Sequence, residues 1–125
     1  MKWRARAAGI FTLLLCLAGR ALAADGARLY AERCSGCHGD DGKGDGPAAA
    51  AVEPKPRNFR SPDFWHDRTD AALRAVVLSG KPGTMMPPFA GVLSDTDIDA
   101  VVGFLRRFDP ASGGAQQPPV AEAHP

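Results

Sequence analysis

The stretch CSGCHG, Cys34 to Gly39, sets two thiols three positions apart and follows the second with an imidazole. Such a stretch serves a disulfide, a structural zinc site, a dithiol redox couple or a covalently attached haem, and these uses need different surroundings. A disulfide leaves His38 idle. A thioredoxin-like dithiol needs a βαβ context, whereas this pair ends a helical pattern with no strand before it. A structural zinc needs four ligands; beyond Cys34, Cys37 and His38 the remaining imidazoles are His66, in an irregular loop, and His124, in a polar tail. Covalent haem uses all three residues: two thiols add to the two vinyl groups on one porphyrin edge, and the imidazole becomes the proximal iron ligand.

Upstream, MKWRARAAGIFTLLLCLAGRALAADG places Lys2, Arg4 and Arg6 before an apolar run from Ala7 to Ala18, with Ala21-Leu22-Ala23 after it. This is the anatomy of a secretory signal peptide, residues 1–23, with cleavage expected after Ala23. The run is far shorter than the roughly 20 residues of a membrane span, and Arg20 stops it from extending, so an uncleaved anchor is the weaker reading. Leu15 disfavours lipid attachment at Cys16. Cleavage removes Cys16 and leaves only Cys34 and Cys37. It also removes four basic residues and no acidic one, leaving eleven basic against fourteen acidic and a formal charge of −3 in place of +1. A mildly acidic, nearly balanced chain argues against nucleic acid as partner. The expected product is a soluble periplasmic protein without a transmembrane anchor.

Downstream, three helices are readable. In DGARLYAERC, Asp25 can cap, and Leu29 and Tyr30 share one side. In TDAALRAVVLSG, Thr69 or Asp70 caps, Leu73, Val76 and Val77 share a face, and Gly80 suits the C-terminal position of positive φ. In SDTDIDAVVGFLRRF, Ser94 caps, three aspartates favour the N-terminal end, Arg106 and Arg107 favour the C-terminal end, and Ile98, Val101, Val102, Leu105 and Phe108 form an apolar stripe. No stretch alternates in the manner of a strand. The segments between helices are long and rich in Gly and Pro, which a compact domain tolerates if they wrap a large apolar cofactor. Residues 24–108 therefore read as one all-α domain, and 109–125 as a disordered Pro/Gly/Ala-rich tail. About 85 residues make a marginal core alone, so a cofactor would supply missing contacts.

GTMMPPFAG offers a second iron ligand. Met85 and Met86 lie in a Pro-rich loop about fifty residues after His38 and just before the last helix, and a thioether from either has the right chemistry. As core filler, both would simply exploit the adaptability of methionine.

With these residues in hand, the sequence from Gly26 to Phe108 resembles the class I c-type cytochromes, in particular small bacterial mono-haem forms. Gly26, Tyr30 and Cys34 keep the family's spacing of a glycine, an aromatic four residues on and the haem motif four further. The resemblance implies a cytochrome c fold, about three helices with long loops wrapped around one haem c held by two thioethers. It implies that the first helix packs against an aromatic of the last, with Phe104 the candidate. It implies that the carbonyl of Pro47, in the Gly46-Pro47 pair, accepts the other N–H of His38. It selects Met86, immediately before the proline, as the iron ligand, with Met85 the runner-up. It also implies propionate donors in the middle loop, for which Arg57, Asn58, Arg60 and Trp65 are available, with Arg57 or Arg60 preferred. His66 as an axial ligand is a minor alternative. GDDGKGDG does not complete a calcium loop and reads as a flexible turn.

With His38 and Met86 as the iron ligands, the function implied is one-electron transfer to and from redox partner proteins outside the cytoplasm. The alternatives are a haem subunit of a periplasmic oxidoreductase complex, or an enzyme or sensor haem with an open sixth position. No nucleophile–base pair or phosphate loop supports catalysis by the polypeptide itself.

Overall fold

The computed structural model describes residues 24–113. The expected signal peptide and residues 114–125 lie outside the described residues. Helix α1, Gly26–Arg33, starts where the Asp25 carboxylate accepts the amides of Ala27 and Arg28 at 3.1 and 3.2 Å. It buries Leu29 and Tyr30. One further turn, α2, covers Ser35–His38, so the two thiols and the imidazole sit on a short helical step. Helix α3, Pro62–Trp65, is another single turn inside the middle loop.

Helix α4, Asp70–Ser79, is capped by the Thr69 hydroxyl, which accepts the Ala72 amide at 3.1 Å. Helix α5, Asp95–Leu105, is capped reciprocally: the Ser94 hydroxyl accepts the Asp97 amide, and the Asp97 carboxylate accepts the Ser94 amide, both at 3.1 Å. It tightens into a 3-10 turn over Arg106–Phe108. The described residues contain no strand, only an isolated bridge between Ala90 and Leu93. The all-α expectation therefore holds.

Helices α1 and α5 cross at a point where only glycine fits. A Cβ on Gly26 would collide with the carbonyl of Ala100, so the missing side chain lets the backbones approach. One turn on, the Tyr30 ring lies 5.2 Å from the rings of both Phe104 and Phe108. The expected stripe of α5 is buried throughout, joined by Leu73 and Val77 of α4. Across the solvent-facing seam, Arg74 reaches Asp95 and Asp99 at 2.7 and 2.8 Å, and Arg106 reaches Asp70 at 2.6 Å. Such exposed pairs are screened by solvent and set orientation more than stability.

The middle loop carries more structure than its composition suggests. It holds a 3-10 turn at Ala49–Ala51 and contributes Phe59, Phe64 and Trp65 to the core. The described fold also runs beyond the expected boundary at Phe108. Pro110–Ser112 forms a 3-10 turn, and the Ser112 hydroxyl lies 2.8 and 2.7 Å from the carbonyls of Arg106 and Asp109.

Candidate cofactor-binding site

A mostly apolar cavity of about 300 Å³ opens between these elements. Cys34, Cys37 and His38 line it, as do Met85, Met86 and Pro87, with Val77, Phe89, Val101 and Leu105 among the apolar residues of the wall. The two sequence signals separated by about fifty residues thus meet at one space.

The turn bearing the thiols is anchored from both ends. The Cys34 amide donates to the Tyr30 carbonyl at 2.9 Å, and the His38 amide to the Cys34 carbonyl at 3.0 Å. The Tyr30 hydroxyl donates to the Gly39 carbonyl at 2.7 Å. Both thiols are free and half-buried. Burial pushes the Cys34 thiol up to about 11, so it is held protonated. Reactive dithiols show the opposite shift, toward thiolate, so the environment does not favour that use.

Burial also lowers the pKa of His38 below its ordinary value, outweighing a hydrogen bond to the Arg57 carbonyl that raises it. The ring is therefore neutral at pH 7. Its Nδ1 lies 3.4 Å from the Arg57 carbonyl oxygen, which places the proton on Nδ1 and the free lone pair on Nε2. The Phe59 ring stacks on the imidazole with centroids 4.5 Å apart and planes 16° from parallel.

This corrects the expectation for Pro47. Pro47 is exposed and does not line the cavity; the acceptor beside His38 belongs to Arg57. Its neighbour Gly46 has a different task, packing so closely on α2 that a Cβ would strike the carbonyls of Ser35 and Gly36. Among the residues offered as propionate donors, Arg57 lines the cavity, with its guanidinium carbon 5.9 Å from the centre of the Phe64 ring. Arg60 does not line it: its Nε donates to the Asp41 carbonyl at 2.8 Å and its head lies over Phe108. Trp65 is buried away from it, with Nε1 donating to the Phe59 carbonyl at 2.6 Å. Asn58 accepts the Arg60 amide at 2.8 Å.

The methionine loop is tied to the end of α4. Phe89 and Ala90 donate to the carbonyls of Val77 and Leu78 at 3.0 and 3.1 Å, and the Met86 carbonyl accepts the Lys81 amide at 3.2 Å. The Thr84 hydroxyl donates to the Lys81 carbonyl and accepts the Met86 amide. Gly80 adopts φ 66° in close contact with the Pro87–Pro88 backbone, where a side chain would be strained and crowded. Met86 is half-buried against the core, whereas Met85 is 70% exposed. Burial thus distinguishes two residues that chemistry alone does not.

His66 is exposed and pairs with Asp67 at 2.9 Å. Among the described residues, no three His, Cys, Asp or Glu side chains converge into a metal-holding group. His124 lies outside the described residues. The donors that do meet at the cavity are two thiols, a neutral imidazole and a half-buried thioether within an apolar wall, a set that fits a covalent haem.

Over residues 21–105 the chain matches the family described as cytochrome c oxidase, cbb3-type, subunit III. It is 34% identical over 99 residues to the dihydro-heme d1 dehydrogenase of Pseudomonas aeruginosa, covering 78% of this chain and 18% of that protein. It is 31% identical over 83 residues to the cbb3-type cytochrome c oxidase subunit FixP of a Bradyrhizobium species, covering 66% of this chain and 26% of that protein. The chain thus spans about a quarter or less of the length of these two curated relatives. Among solved structures, it resembles a reducing HAO-like protein complex of Kuenenia stuttgartiensis at 28% identity and a TM-score of 0.60, covering 74% of this chain and 44% of that one. It resembles the c-type cytochrome KustC0563 at 30% identity and a TM-score of 0.56, covering 67% of this chain and 96% of that one.

Proposed function

The chain belongs to the family of cbb3-type cytochrome c oxidase subunit III, a family of c-type cytochrome domains, and on that premise we propose that it is an extracytoplasmic one-electron carrier. In this reading Cys34 and Cys37 hold haem c, and His38 and Met86 ligate its iron. The observation that carries it is the meeting of both thiols, His38 and the half-buried Met86 on one apolar cavity. When bound, the haem supplies a single-electron iron couple whose potential thioether ligation raises relative to bis-histidine ligation.

The chain's own residues do the rest. His38, neutral and with its Nδ1 proton beside the Arg57 carbonyl, presents Nε2 as the donor. Met86, fixed by Thr84 and by the ties of its loop to α4, would supply the thioether donor. With both engaged, no position would be left for oxygen or peroxide, which favours electron transfer over catalysis. Val77, Phe89, Val101 and Leu105 exclude water from the space between. Of the proposed propionate donors, Arg57 is the one that lines this space.

A second reading makes the same domain the haem subunit of a larger redox complex. It is supported by relatives several times longer than this chain and by a structural neighbour that is itself a complex. The leader pattern at residues 1–23 supports export to the periplasm, which N-terminal sequencing of the mature protein tests. No helix of the described residues is long and apolar enough to cross a membrane.

Voltammetry combined with carbon monoxide tests the carrier role. A reversible one-electron wave and a reduced spectrum unmoved by carbon monoxide are expected. A spectrum that shifts on adding the gas would mean an open iron and would favour the enzyme or sensor reading.

A further inference from the structure

The short segment from Arg57 to Phe59 is held from three directions. The Phe59 amide donates to the Gly42 carbonyl at 2.7 Å, and the Phe59 carbonyl accepts Trp65 Nε1 at 2.6 Å. The ring is 7% exposed and also packs on Phe64, with centroids 5.0 Å apart. Its position is therefore set by the Gly-rich turn and by α3. Two contacts then fall on the imidazole from this one braced segment: the Arg57 carbonyl at Nδ1, and the Phe59 ring stacked on its face.

Coordination through Nε2 fixes where that atom sits but leaves the ring free to rotate about the metal–nitrogen direction. A stacked neighbour on the face and an acceptor at the edge remove that freedom. We propose that Phe59 and the Arg57 carbonyl, braced by the Trp65–Phe59 hydrogen bond, fix the plane of the His38 imidazole, so that Phe59 and Trp65 are positioning residues of the electron-transfer centre. This rests on His38 being the haem ligand. It gives Trp65 a role other than binding a propionate, and it gives Phe59 a role beyond filling the core.

The proposal concerns orientation, so the readout must sense orientation. In the ferric protein, the g-anisotropy of the electron paramagnetic resonance spectrum and the spread of haem methyl shifts follow the plane of the axial imidazole. Trp65→Phe keeps an aromatic ring but removes the donor; Phe59→Leu keeps apolar volume but removes the stack. Both are expected to shift the methyl pattern. Phe59→Tyr, which restores a ring, is expected to return it toward that of the unaltered protein. Phe104→Leu, a comparable loss that touches Tyr30 and Phe108 rather than His38, is expected to leave it in place.

The unaltered, reduced protein supplies a measurement that needs no variant. Nuclear Overhauser contacts are expected between the Phe59 and His38 ring protons. Their absence overturns the proposal, and so does an unchanged methyl pattern in those of Trp65→Phe and Phe59→Leu that assemble, or an equal change in Phe104→Leu. If neither Phe59→Leu nor Trp65→Phe assembles, the contacts in the unaltered protein decide. Failure of the underlying reading looks different: the unaltered protein would then lack a low-spin haem altogether.

Discussion

Tyr30, buried where α1 crosses α5, donates its hydroxyl proton to the carbonyl oxygen of Gly39 at 2.7 Å, and so ties the helix crossing to the residue that comes after His38. Gly39 is itself buried, and its carbonyl also accepts the Gly42 amide at 3.1 Å. Tyr30→Phe keeps the ring packing against Phe104 and Phe108 and removes only the donor. The Gly39 carbonyl keeps the Gly42 amide, so the variant should destabilise the protein by about 0.5–1.5 kcal/mol, the usual net worth of one hydrogen bond. Urea unfolding near neutral pH measures this.

The same residue predicts a loss of stability in alkali. Desolvation by burial, with smaller contributions from nearby negative charge, raises the Tyr30 pKa well above its ordinary value of 10.0. Above about pH 10 the unfolded chain releases this proton while the folded chain keeps it, so folding is progressively disfavoured as pH rises. The contribution is about 1.4 kcal/mol per pH unit until the folded group also titrates. Comparing urea midpoints of the unaltered protein and Tyr30→Phe at about pH 9 and about pH 11 isolates this contribution, because the variant lacks it. Parallel losses in both would contradict the assignment.

Gly26→Ala should be costly although it adds one methyl group. The new Cβ meets the Ala100 backbone in the heart of the crossing, and backbone cannot step aside as a side-chain tip can. Overpacking of this kind costs about 1–3 kcal/mol. A thermal unfolding midpoint lower by several degrees is expected. An unchanged midpoint would mean that the helices separate slightly at no cost.

Burial assigns different consequences to the two methionines. Met86→Ala should abolish the weak iron–thioether absorption band and lower the potential by about 0.1 V or more, within the roughly 0.8 V span that axial ligands control. Met85→Ala, at a position 70% exposed, should preserve the band. Thr84→Val should weaken the hold on Met86 without removing it, at about 1 kcal/mol for each lost hydrogen bond. Its expected signature is partial access of carbon monoxide to the reduced iron.

Legibility in the sequence depended on where the information sits. The caps at Asp25, Thr69 and Ser94, the stripe of α5 and the Gly26–Tyr30–Cys34 spacing are written in side chains with strong positional preferences. Cys34, Cys37 and His38 stand out in the sequence for the same reason, because their spacing admits few uses, whereas only the resemblance separates Met86 from Met85 there. The acceptor beside His38 does not stand out, since it is the backbone oxygen of Arg57 and any residue supplies one. The guanidinium of Arg60 and the indole of Trp65 are versatile donors, and both satisfy nearby backbone carbonyls instead of facing the cavity. Phe59 was visible only as an aromatic, because nothing local says that the middle loop folds back onto the imidazole.

The central claim is that Cys34 and Cys37 carry a haem through thioether bonds. Mass spectrometry of the mature protein under denaturing conditions, after extraction with acid and acetone, tests it most directly. The account predicts a chain heavier than the polypeptide by one haem, reduced to the bare polypeptide mass when both cysteines are replaced by alanine. A bare mass in the unaltered protein, from cells that mature other c-type cytochromes, would contradict it.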